Sequence, residues 1–234
     1  FSEHEDDTSS FAPTYHDIEE WPMSQKLVFE KDSVGFYLSG HPYDQHRAEI
    51  SKFTSCSIKN LDKHMDTKVL FGGLIVGLRF LKTKRGKAMG IVSIDDNTSR
   101  VDIVLFSETL EDYRQYLIKD TTVIIEGEVS HDEFSGGVRV TCNRIYNLTM
   151  ARNTFAKRLR IRLTHDADKH AIKTVSSILK SYTGGKCPVI LQYLNAHGQV
   201  NLPLNQDWHI SPATDLFDKL NQKLPDLELC LDYE

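Results

Sequence analysis

What this 234-residue sequence has little of bounds it first. Its four cysteines, Cys56, Cys142, Cys187 and Cys230, are scattered, with no CxxC and no Cys/His cluster at metal-ligand spacing. That argues against a disulfide framework or a zinc site and leaves reduced thiols. No run of about 18 apolar residues occurs, and no basic-then-apolar leader, so no membrane segment is expected and the default location is cytoplasmic. GxSxG, GxxxxGK[ST] and HExxH are all absent, which removes the usual footholds for acyl transfer, phosphate-loop binding and zinc proteolysis. The first residue is Phe1 rather than Met, so the sequence is expected to be a piece of something longer.

What is present suffices for globular cores: 40% of residues are hydrophobic, enough for one large or two small domains. The net charge of −5 is uneven. Residues 1 to 20 hold Glu3, Glu5, Asp6, Asp7, Asp17, Glu19 and Glu20 and no Lys or Arg, so the remainder carries about +2. That acidic stretch has no apolar periodicity and reads as a disordered linker, residues 1–23. A helical connector is expected over 24–65. Leu27, Val28, Val34, Tyr37 and Leu38 recur at roughly helical spacing, with Ser24 as cap and Gly40 with Pro42 as the stop. A second helix then runs from Pro42 to about Phe53.

Period-two patterning dominates from Val69 to Met150, within a domain assigned to 66–150. Strands are expected over 69–80, 86–96, 100–106, 121–130 and 137–148, with a helix from a Ser107 cap to about Leu117. In the third strand Val101, Ile103 and Leu105 share one face, and Asp102, Val104 and Phe106 the other. Gly72, Gly73 and Gly77 would let the first strand bend at a barrel corner. Three strands, a helix and two strands is the order of the five-stranded OB-fold barrel. Residues 151–234 read as a second module with the order β-α-β-β-α-β, a small α/β sandwich of the split-βαβ kind, making the fold class α+β and multi-domain.

On such a barrel the loops joining strands 1 to 2 and 4 to 5 flank the ligand groove. The first, LKTKRGK, carries Lys82, Lys84, Arg85 and Lys87, which would track phosphates; Arg139 adds a further cation beyond the second loop. Phe80 and Phe134 could stack on bases. The plainer reading is a solvated hairpin tip with an aromatic plugging the barrel end, and Asp102, Glu126 and Glu128 argue against a continuous basic surface. Asp95-Asp96 precedes the turn residue Asn97, where Asp makes local turn hydrogen bonds rather than metal or acid/base chemistry. The lone histidines His41, His64, His131 and His209 lack partners at useful spacing. No catalytic, cofactor-binding or metal-binding residues are therefore expected.

The run VGFYLSGHPYDQ, Val34 to Gln45, has no good generic explanation. It resembles the signature that precedes the OB domain in the alpha (polymerase) subunit of bacterial DNA polymerase III, the C-family replicase. The resemblance continues through TKRGKAMGIVSIDD, VDIVLF, GEVSHDEFSGGVRV and WHISPATDLFDKL, covering residues 27 to 234. It implies a C-terminal, non-catalytic region whose parent polymerises DNA. The palm with its metal-binding aspartates, the fingers and the PHP domain would lie upstream, so this piece would be inactive alone. It also implies a barrel near single-stranded template and a last domain that binds the tau subunit of the clamp loader. A sliding-clamp motif would be truncated at Phe1, and the similar Asp215-Leu216-Phe217 is expected to be core. Two other readings stay open: an anticodon-binding OB region of an aminoacyl-tRNA synthetase, and a purely structural OB domain.

Overall fold

The computed structural model describes residues 20–83, 86–132, 136–163, 169–195 and 198–233. The chain divides into two compact units, Phe1–His41 and Pro42–Glu234. In the first, α1 (Met23–Val34) starts after Pro22, which tolerates the position because the first helical N–H groups have no intrahelical partner. Ser24 is therefore inside the helix, not its cap. The helix also stops earlier than the Gly40–Pro42 pair suggested: Gly35, at φ +83°, turns left-handed and its N–H bonds back to the Lys31 carbonyl. Glu30 then gathers the following turn, accepting from the Leu38 N–H at 2.7 Å, the Ser39 N–H at 2.9 Å and the Ser39 hydroxyl. Those bonds, the Ser39 hydroxyl first, hold the Glu30 carboxyl below its ordinary pKa.

The second unit opens with α2 (Asp44–Ile50) and a 3₁₀ turn over Ile58–His64. There follow β1 (Lys68–Lys82), β2 (Ala88–Asp95), β3 (Arg100–Phe106), α3 (Ser107–Tyr113), β4 (Thr122–His131) and β5 (Val138–Tyr146). These five strands close into a barrel in the order β1-β2-β3-β5-β4. The closure rests on two long-range pairings, β1 antiparallel to β4 and β3 parallel to β5. The bend of β1 appears as a register shift between Ile75 and Gly77. Alternation fills the interior with Phe71, Ile75, Val92, Ile94, Ile103, Leu105, Ile125, Val129 and Val140, each 0% exposed. Burying a side chain of this size contributes about 1.5–3 kcal/mol. Ser107 does not cap α3; its hydroxyl instead donates to the Ala88 carbonyl at 3.1 Å, tying the helix start to β2.

After the barrel, α4 (Leu148–Phe155) occupies residues that the period-two reading ran on as strand or left unassigned. Asn147 caps it, its side-chain oxygen accepting from the Met150 N–H at 2.8 Å. Next come β6 (Arg158–Leu163), α5 (Lys169–Lys180), β7 (Thr183–Cys187), β8 (Val189–Asn195), β9 (Gly198–Pro203), α6 (Thr214–Lys223) and β10 (Glu228–Asp232). The sheet order is β10-β6-β8-β9, with β6 and β8 adjacent and parallel. The crossover is thus an ordinary βαβ unit, not the split form expected, because no strand inserts between β6 and β8. Leu159, Ile161 and Val189 of the sheet form a core with Val175 and Leu179 of α5 and Leu216 and Leu220 of α6. Gly184 and Gly185, expected to be a simple break, lie in β7.

Arg152 of α4 ties these parts together. Its guanidinium grips both Glu49 carboxylate oxygens at 2.7 Å, donates to the Thr214 hydroxyl at 3.2 Å and lies 4.6 Å from the centre of the Phe217 ring. Tyr233 donates to the same Glu49, and Phe53 stacks on Phe155 beside it. Leu216 of the Asp215-Leu216-Phe217 run is fully buried, as expected for core.

Candidate nucleic-acid interface

The cross-strand register fixes which side chains share the outside of the barrel. Because Val101, Ile103 and Leu105 point inward, Phe106 points out, and it faces Met89 of β2, which faces Leu81 of β1. The next row is Arg79, Ile91 and Val104, and the third is Gly77, Ser93, Asp102 and Arg139. Phe106 is 53% and Leu81 47% exposed, so the loop end of this face is an uncovered apolar strip.

Lys82 ends β1 and Lys87 lies just before β2, so both sit at the hairpin end of the strip and both are exposed, with Lys82 on the Phe80 side of β1 and not on the Leu81 side. The hairpin closes through Thr83, whose N–H donates to the Lys87 carbonyl at 2.8 Å, and through Gly86, at φ +77°. Lys84, Arg85 and Phe134 lie outside the described residues. Phe80 faces away from the strip. It pairs with Gly90 on the inward side, half exposed at the barrel end, with the Arg114 guanidinium 5.4 Å from its ring centre. Arg139 lies on β5 opposite Asp102 and is paired with Asp132 at 3.8 Å.

The strip's lower edge is charge-compensated. Arg79 meets Asp102 at 3.1 Å, and the Ser93 hydroxyl donates to the same carboxylate at 2.6 Å. Positive charge is therefore concentrated at the loop end rather than spread over the face. Asp95 and Asp96 make the turn bonds expected of them: Asp95 accepts from the Asn97 N–H at 2.8 Å, and Asp96 from the Thr98 and Ser99 N–H groups at 2.9 and 3.1 Å. Among the described residues, no three His, Cys, Asp or Glu side chains gather as a metal site, and no helix is long and apolar enough to cross a membrane.

Sequence reasoning did not single out Arg79, Leu81, Met89 and Phe106 for this face. The alternation in RVDIVLF already put Phe106 on the outer face, but nothing local says that Met89 and Leu81 come to lie beside it.

The family described as "OB-fold nucleic acid binding domain" matches residues 69–148, and that described as "DNA polymerase III subunit alpha, C-terminal domain" matches residues 174–224. The relatives extend the second match over nearly all of the chain. The DNA polymerase III alpha subunit of Vibrio cholerae is 33% identical over 212 residues, covering 90% of this chain, and that of Pseudomonas aeruginosa is 35% identical over 217 residues, covering 92%. This chain matches the C-terminal region of the DNA polymerase III alpha subunit. The Escherichia coli alpha subunit is 31% identical over 225 residues, covering 94%. The chain spans 18 to 20% of the length of the curated relatives it matches.

Proposed function

We propose that this chain is the accessory, non-catalytic part of a replicative DNA polymerase alpha subunit, working in the cytoplasm. In this reading the barrel, residues 66–150, holds single-stranded template, and residues 151–234 tether the polymerase to the tau subunit of the clamp loader. The observation that carries the first half is the strip of exposed Leu81 and Phe106 with half-buried Met89 between them, at the hairpin end that carries Lys82 and Lys87, on a closed five-stranded barrel. An apolar platform for bases next to cations for phosphates is the combination that binds a single strand without reading its sequence. The tau assignment is supported by the similarity to the alpha subunit's C-terminal domain. Chemistry is left to upstream parts of the parent, and no cofactor is assigned to this region.

The compensated lower edge keeps binding modest. With two to three phosphates neutralised, affinity falls about 7- to 20-fold between 50 and 200 mM salt. Fluorescence anisotropy with a labelled oligo(dT) measures this directly. Phe106→Ala is expected to weaken binding by about 1–3 kcal/mol, and Lys82→Ala with Lys87→Ala to flatten the salt slope. Absence of binding at the lower salt, or binding indifferent to all three substitutions, refutes the barrel reading. A pull-down of the 234-residue chain with the tau subunit tests the other half; no capture refutes it.

A further inference from the structure

Val175 and Leu179 of α5 and Leu216 and Leu220 of α6 pack on the face of the second sheet that carries Leu159 and Ile161. On the other face, β6 presents Arg158, Arg160 and Arg162 in alternation with the buried Leu159, Ile161 and Leu163. Register sets Asp232 opposite Arg158 and Gln192 opposite Arg162, with Asn201 next to Gln192 on β9. This face is hollowed into a groove of about 650 Å³, with Lys52 contributing from the segment after α2 and Ile190 on its floor.

Its charges do not cancel. Arg158 and Arg160 both reach Asp232, at 3.1 and 2.6 Å, so one carboxylate serves two guanidinium groups. Lys52 has no ion pair among the described residues, and Arg160 Nε is buried there without a hydrogen-bond partner. The groove is therefore cationic overall. Gln192 and Asn201, joined at 3.0 Å, supply amide donors and acceptors at its side.

We propose that this groove docks an extended acidic peptide segment of a partner protein. Three features select a peptide over a nucleic acid. The groove's one aromatic, Tyr233, is 8% exposed and already engaged with Glu49, so bases have no stacking surface. Asp232 within the groove would repel a continuous run of phosphates, whereas a peptide can set its carboxylates on the arginines and leave an amide at Asp232. Ile190 accepts an aliphatic side chain, which alternates with acidic ones along an extended segment. The proposal depends on neither the barrel reading nor the clamp-loader assignment, since its probe is a peptide of defined chemistry.

The test uses the full chain and a fluorescein-labelled octapeptide in which Glu alternates with Ala or Ile, its Lys-for-Glu counterpart, and oligo(dT). The acidic peptide is expected to bind and the basic one not. Arg160→Gln and Lys52→Glu should each weaken the acidic peptide by about 10-fold or more and leave oligo(dT) affinity unchanged. Lys52 is exposed, so its substitution leaves the fold intact even where Arg160→Gln perturbs it. Equal binding of both peptides, losses below about 3-fold in the Lys52→Glu variant, or a loss of oligo(dT) binding in its place overturns the proposal.

Discussion

Removing the Arg152 side chain tests whether the barrel and the second sheet are held as one body by a single buried pair. The Arg152 side chain is 8% exposed and Glu49 22%, and the two meet through two bonds of 2.7 Å. Arg152→Met leaves the Glu49 carboxylate half-buried with only Tyr233 as donor, and strands the Thr214 hydroxyl and the Phe217 ring face. Breaking one side of such a pair costs about 3–5 kcal/mol. At roughly 2–4 °C per kcal/mol for a unit of this size, the melting temperature should drop by about 6–20 °C. Scanning calorimetry should also resolve one transition into two, as the barrel and the sheet separate. The double variant with Glu49→Gln should recover part of the loss, because the orphaned charge is gone. Burial alone would raise the Glu49 carboxyl, but bonds from Arg152 and Tyr233 and the Arg152 charge outweigh it and hold the carboxyl below its ordinary value. A depressed folded pKa adds stability that is complete above the unfolded value, near pH 4.3, and is lost as pH falls through the folded one. The gap between wild type and Arg152→Met should therefore narrow in acid. A loss under about 1 kcal/mol at pH 7, or a gap that widens on acidification, refutes the clasp.

Three further outcomes are expected. Asp96, 2% exposed, accepts from the Ile58 N–H at 2.9 Å as well as from its own turn, so Asp96→Ala should cost about 3 kcal/mol in urea denaturation, and a loss below about 0.5 contradicts that role. A Cβ at Gly127 would lie 2.6 Å from the Thr141 carbonyl oxygen and from Val140 Cγ1, so Gly127→Val should lower the melting temperature by at least about 6 °C; an unchanged melt means that β5 can move aside. Burial, then the Glu126 charge, pushes the Cys142 thiol up to about 12, so iodoacetamide at pH 8 should label it at least about 100-fold more slowly than free cysteine, and fast labelling by mass spectrometry counts against a closed barrel core.

Along single strands the sequence was a good guide, because the signals are local. Period two in 100–106 puts Val101, Ile103 and Leu105 inside as observed, whereas residues 71–75 of β1 and 123–125 of β4 are buried on both faces, and the Asp95-Asp96-Asn97 run makes its turn from its own side chains. Helix ends were less legible: Gly35 stops α1 five residues before Gly40, since a left-handed residue ends a helix wherever the following chain can be gathered, here by Glu30. The α4 helix was hidden because Leu148–Phe155 lacks a long apolar stripe and depends on Asn147 for its cap and on Glu49 for its anchor.

The sequence by itself determined the barrel's strand order, its cationic first loop, the outward side of Phe106 and the resemblance to the polymerase alpha subunit. Those follow from near neighbours and from motif spacing. Only the tertiary structure decided that Leu81, Met89 and Phe106 form one strip, that Phe80 turns away from it, that β6 and β8 are adjacent, and that Arg158 and Arg160 share a groove with Lys52. Each of these depends on pairings between residues far apart in the chain, such as Arg152 with Glu49, 103 positions away. Such contacts are selected by how whole elements pack, and a residue's own neighbours carry no record of them.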